Sequence, residues 1–136
     1  MKRPILAFAV GLVVWVLLIS ILNRALRIFL PGYAAAEPIM SFTPGMLTAR
    51  LLIAALTSLI AGAAATWIAP SSARLPVLLG TALLVAFIPI HVRLWSLFPF
   101  WYHLVFLATL IPLVMLGSWL TRARPIAGAT ARGAGT

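Results

Sequence analysis

Apolar residues fill four long runs of this chain, and the polar residues collect in the short segments between them. The first run is "ILAFAVGLVVWVLLISIL", residues 5–22, with no charge in it. The second covers about 46–68 and contains one charge, Arg50. The third covers about 75–94 and the fourth about 100–120. Crossing a hydrocarbon core about 30 Å thick takes about 20 apolar residues in a helix. Backbone amides inside lipid must bond within their own segment, and the runs lack the alternation of a barrel strand. The pattern therefore predicts an all-α integral membrane bundle of four transmembrane helices.

The breaks agree with this reading. "LPGYAAAEPIMSFTPG" (30–45) concentrates proline and glycine, "APSSARLP" (69–76) is a tight polar turn, and "WSLFPF" (95–100) closes a hairpin. Pro99 suits the first turn of the last helix. Residues 1–120 form one expected domain, and 121–136, small and basic without periodicity, an expected disordered tail. The opening "MKR" and the A-x-A of 34–36 resemble parts of a signal peptide. However, the apolar run is longer than a usual h-region, and Arg24 and Arg27 separate it from that cleavage motif. The expectation is a retained helix.

Composition narrows the class further. Of 136 residues 64% are hydrophobic and 8% charged, whereas a soluble domain has about a quarter charged to cover its surface. The net charge of +9 comes from ten Lys and Arg against one acid, Glu37. Sparse cations between apolar runs point to topology and anionic lipid headgroups rather than nucleic acid. Both termini are expected in the cytoplasm of a bacterial inner membrane, because Lys2, Arg3, Arg74, Arg122, Arg124 and Arg132 would then lie inside. Arg24, Arg27, Arg50 and Arg93 would lie outside. Tyr33, Trp95, Trp101 and Tyr102 at one side, and Trp67 and Trp119 at the other, are expected to form interfacial belts.

Span two carries Ala54, Ser58, Gly62 and Thr66 at every fourth position, a helix-packing face of the kind that lets membrane helices approach closely. Pro89 and Pro112 interrupt the last two spans and are expected to shape the bundle. The segment "PIHVRLWSLFPFWYHLVF" (89–106) sets two histidines, an arginine and a tyrosine in an apolar context. His91 falls about one turn before the end of span three and His103 about one turn into span four. Gly80 and Gly117 lie almost under them on the helix wheel. Two readings follow. Arg50, His91 and His103, with Glu37 as counter-ion, form a candidate outer-leaflet polar cluster for an anionic group such as a lipid phosphate. Alternatively, they snorkel to the headgroups.

Catalytic chemistry finds little support. There is no cysteine, no aspartate, and no glutamate in a span, which excludes thiolate metal sites, Ser-His-Asp catalysis and carboxylate proton exchange. No metal-ligand spacing or phosphate-cradling glycine loop occurs, so neither an enzyme, a metal site nor a cofactor is expected. The segment "FPFWYHLVFLATLIPLVMLG" (98–117) resembles one found in small, uncharacterised four-helix proteins of bacterial inner membranes, and that resemblance implies no activity. The expected function is an accessory or scaffold protein acting through the Ala54/Ser58/Gly62 face. Its partner would be a second copy of the chain or another membrane protein. The alternative is a small-solute or anion permease working as an oligomer.

Overall fold

The computed structural model describes residues 2–124, and most of the expected 121–136 tail lies outside the described residues. The chain forms α1 (Lys2–Phe29), a short α2 (Tyr33–Ala36), α3 (Pro44–Ile68), α4 (Leu75–Arg93) and α5 (Phe100–Ala123). Four of these helices are long and apolar enough to cross a membrane, as the hydropathy runs require. The fold is an all-helical bundle with no strand among the described residues.

Several boundaries differ from expectation. α5 runs to Ala123, so the first three residues of the expected 121–136 disordered tail are helical. α1 continues seven residues past Leu22 to Phe29, because Asn23, Arg24 and Arg27 interrupt hydropathy without interrupting helix formation. Its 28 residues extend about 42 Å, more than the hydrocarbon core, so the arginine-bearing end projects beyond it. α3 begins at Pro44 rather than 46, with Thr43 as N-cap accepting from the Met46 amide at 3.3 Å and Pro44 in the first turn. Pro99 caps α5 rather than entering its first turn.

The chain reverses after α1 through Gly32, whose φ of 80° is left-handed and strained for any residue with a Cβ. This turn delivers Tyr33 to the bundle, where the side chain is fully buried.

α3 is the central helix and packs most extensively against α5 and α1, while α4 packs mainly on α5. The small-residue face explains why. Ala54, Ser58, Gly62 and Thr66 are all buried, as are Ala61 and Ala65 beside them. A Cβ added to Gly62 would overlap the Val114 carbonyl of α5, and one added to Gly117 would overlap the Leu59 carbonyl of α3. Backbones this close gain dispersion contacts that lipid tails cannot match. The face is thus consumed within the chain, which corrects the expectation that it meets a partner. Large apolar side chains such as Ile5, Leu17, Leu52, Val85 and Leu104 are exposed and form the lipid-facing surface.

Arg122 donates to the Ser72 carbonyl at 2.8 Å, and Pro4, Ile5 and Phe8 share an apolar recess with Ser72 and Leu75. The start of α1, the α3–α4 turn and the end of α5 therefore lie at one end. Arg50, the α1–α3 connection and the α4–α5 turn lie at the other.

Candidate functional site

At this second end α1, α3 and α5 converge on the Arg50 guanidinium. Its Nη1 donates to the Tyr33 hydroxyl at 2.6 Å and its Nε to the Tyr102 hydroxyl at 3.2 Å. The Tyr33 hydroxyl donates onward to Asn23 Oδ1 at 3.3 Å, linking α1 to the site. Phe42 lies under the guanidinium, with Cζ 4.9 Å from the ring centroid. Phe42 in turn meets Tyr33 and Phe98, and Phe98 meets Tyr102, so aromatic rings from both connections surround the cation. Burial pushes the Tyr33 hydroxyl above its ordinary value, and neighbouring Arg50 opposes that shift.

Magnitudes explain how an arginine persists here without a carboxylate. An arginine at the middle of a span costs about 2.5–3.5 kcal/mol, less near an end. A hydrogen bond to a charged group returns about 1.5–3 kcal/mol. Two neutral tyrosines therefore offset most of the penalty and leave the positive charge uncancelled. No carboxylate touches Arg50 among the described residues. Glu37, expected as its counter-ion, pairs with Arg27 instead, accepting at 2.9 Å from Nη2 and also meeting Nε. The cause is local: the turn at Gly32 folds Glu37 back on Arg27 in the last turn of α1.

The two histidines meet each other. His91 Nδ1 and His103 Nδ1 are 2.7 Å apart with the rings nearly perpendicular, so one nitrogen donates a proton and the other accepts it. They are 4% and 1% exposed, enclosed by Trp95, Tyr102 and Phe106, and so do not snorkel to headgroups. His103 Nε2 is buried without a partner. Arg50 reaches the pair only through Tyr102, whose ring stacks on His91 at 5.9 Å. The expected cluster of Arg50, His91, His103 and Glu37 is thus three arrangements: a tyrosine-held arginine, an imidazole pair beside it, and a separate ion pair.

Tyr33 and Tyr102, expected as interfacial anchors, are instead buried ligands of Arg50. Trp67 and Trp119 are 81% and 62% exposed on the lipid-facing surface. Trp15 was hidden in an uncharged apolar run, yet it is 2% exposed and donates to Ser58 Oγ at 3.0 Å. A tryptophan far from both ends of a span was the available signal, since its N–H needs a partner there. Asn23 carried a similar signal, a lone amide one turn before Arg27.

Two cavities meet at Arg50 and Asn23. One, about 320 Å³, is polar and bounded further by Ser20, Arg24, Arg27 and Glu37. The other, about 170 Å³, lies between Trp15, Ile19, Phe87, Tyr102 and Phe106. Below it the Trp15–Ser58 bond and the Gly62–Val114 contact close the interior. This arrangement can hold an anion against a guanidinium at the rim. It offers no paired acid and base and no group of three metal-ligating side chains among the described residues.

No family model, curated protein or solved structure matches this chain. Its class therefore stands on its own geometry: a multi-pass, all-helical membrane protein with four helices able to span the bilayer.

Proposed function

We propose that this protein is a non-catalytic accessory protein of a bacterial inner membrane that binds an anionic group at Arg50. In this proposal Lys2 and Ala123 face the cytoplasm and Arg50 faces outward, and small four-helix proteins of such membranes are its kin. The observation that carries the reading is a guanidinium held by two neutral hydroxyls at the junction of two cavities, with no carboxylate bonded to it among the described residues and Glu37 of the polar cavity paired to Arg27. Arginine so arranged retains N–H donors and charge for an incoming anion. Arg24 and Arg27 against Glu37 add to the positive balance of the polar cavity.

Binding is favoured over permeation because the polar cavity does not continue past the packed Gly62–Val114 level. The test is titration of inorganic phosphate into the protein in neutral-detergent micelles. Saturable binding should appear and weaken at least tenfold in Arg50→Gln. Equal binding by that variant sinks the reading, and an Arg50-dependent anion flux in liposomes would favour the permease. Reporter fusions after Leu30, Ser72, Ser96 and Thr136 test orientation. Cytoplasmic activity at 30 or 96 would reverse it.

A further inference from the structure

We propose that the occupant of the Arg50 site is a single-chain anionic amphiphile, with its head in the polar cavity and its tail in the aromatic one. The inference rests on the anion-binding reading above and adds the second half of the ligand. A small inorganic anion would use only the polar cavity at Arg24, Arg27 and Arg50. It would leave empty the pocket of about 170 Å³ that opens from the same arginine. Besides Arg50 and Asn23, that pocket is walled by Trp15, Ile19, Phe87, Phe106 and Tyr102, whose hydroxyl is bonded to Arg50. The indole N–H of Trp15 is already given to Ser58, so it offers an entering molecule no polar contact.

An apolar cavity of about 150 Å³ stays dry and takes benzene, a six-carbon guest, so this pocket suits roughly six carbons of one chain. Its polar groups are Arg50, Asn23 and the Tyr102 hydroxyl, which is bonded to Arg50. Beyond them Trp15, Ile19, Phe87 and Phe106 offer water few of the two to four polar partners it needs. The mouth is where Arg50 and Asn23 stand, on both cavity linings. Charge at the mouth and apolar aromatic walls behind it match a molecule with one anionic head and one slender tail. A two-tailed lipid would have to leave its second chain in the bilayer.

The probes are inorganic phosphate, hexyl phosphate, 6-bromohexyl phosphate and 6-bromohexanol, titrated into the full chain in neutral-detergent micelles. Hexyl phosphate should bind at least tenfold more tightly than phosphate, since about two buried methylenes suffice for that. In a protein whose one tryptophan is Trp15 (Trp67, Trp95, Trp101 and Trp119→Phe), 6-bromohexyl phosphate should quench fluorescence saturably. Its bromine-free parent should bind without quenching. In the natural background Ile19→Phe, which fills the pocket, should reduce the hexyl advantage below threefold. If phosphate and hexyl phosphate bind with equal affinity, the tail pocket is refuted while the anion site stands. If neither binds, both readings fall. Quenching by 6-bromohexanol equal to that by the phosphate would mean partition into micelles and would overturn the inference. Displacement of 6-bromohexyl phosphate by an equal concentration of two-tailed phosphatidic acid would overturn the single-chain assignment.

Discussion

Arg50 Nη1 and the Tyr33 hydroxyl are 2.6 Å apart, a bond that fastens the α1–α3 connection to the central helix. Because the hydroxyl accepts from Arg50 and donates to Asn23, it acts in its neutral form. Burial raises its pKa above the ordinary tyrosine value of about 10. A group whose folded pKa is raised contributes stability that is present below the unfolded value. That contribution is lost as pH climbs from there through the folded value. Denaturation by SDS in mixed micelles should therefore show stability falling above about pH 10. Tyr33→Phe should be less stable at neutral pH by about 1–2 kcal/mol and should flatten the alkaline decline. An unchanged alkaline slope in that variant would assign the decline to other groups.

The glycines of the α3–α5 contact yield a graded prediction. Gly62→Ala and Gly117→Ala place a Cβ on a backbone carbonyl of the facing helix, which no side-chain movement relieves. Each should cost about 2–3 kcal/mol, near the top of the range for overpacking. Gly11→Ala meets the Leu79 Cδ2 terminus at 2.6 Å, a flexible group, and should cost about half as much. Gly45→Ala finds nothing nearer than the Thr43 hydroxyl at 3.8 Å and should be neutral or slightly stabilising. Equal losses at Gly62 and Gly45 would contradict the packing described.

The four spans and the small-residue face were legible because each is a local regularity, an apolar run or a repeat of four. The site was legible only in part. His91 and His103 lie in a hairpin, so equal depth follows from helix geometry, and their meeting was within reach of the sequence. Arg50's tyrosines were not, because Tyr33 reaches it only through the particular course of residues 30–43. Proline and glycine content marks that segment as a turn without setting its path. Tyrosine at a span end commonly means an interfacial anchor, and nothing local distinguishes the exception. Glu37 differs from expectation for the converse reason: it is the only acidic side chain in the sequence and hence the only one available to Arg50, whereas a short turn places it on Arg27.

Trp15 and Ser58 provide a test of the α1–α3 contact. The indole N–H is buried, so Ser58→Ala leaves a donor without a partner and should cost about 1–3 kcal/mol. Trp15→Phe removes the donor and part of the ring, while Ser58 keeps its bond to the Ala54 carbonyl at 2.8 Å. The double variant should be less destabilised than the sum of the singles by about 1 kcal/mol, measured by the same SDS unfolding. Strict additivity would mean that the bond contributes nothing in the membrane environment.

The histidine pair supports the last prediction. At 2.7 Å two Nδ1 atoms must share one proton, so one imidazole donates and its partner accepts. Replacing either ring alone strands the other: His91→Phe would leave His103 with no partner at Nδ1, while its Nε2 is already unpartnered. Each single variant should therefore lose about 1–3 kcal/mol. The double variant His91→Phe/His103→Phe, apolar on both sides and enclosed by Trp95, Tyr102 and Phe106, should recover part of that loss. A direct check is nitrogen NMR of histidine-labelled protein, where a scalar coupling between the two Nδ1 nuclei should be visible through the hydrogen bond. Its presence in the natural protein and loss in both single variants is the expected result. Two uncoupled imidazoles with independent solvent exchange would show that the rings point elsewhere, and the stability pattern would then have to be additive.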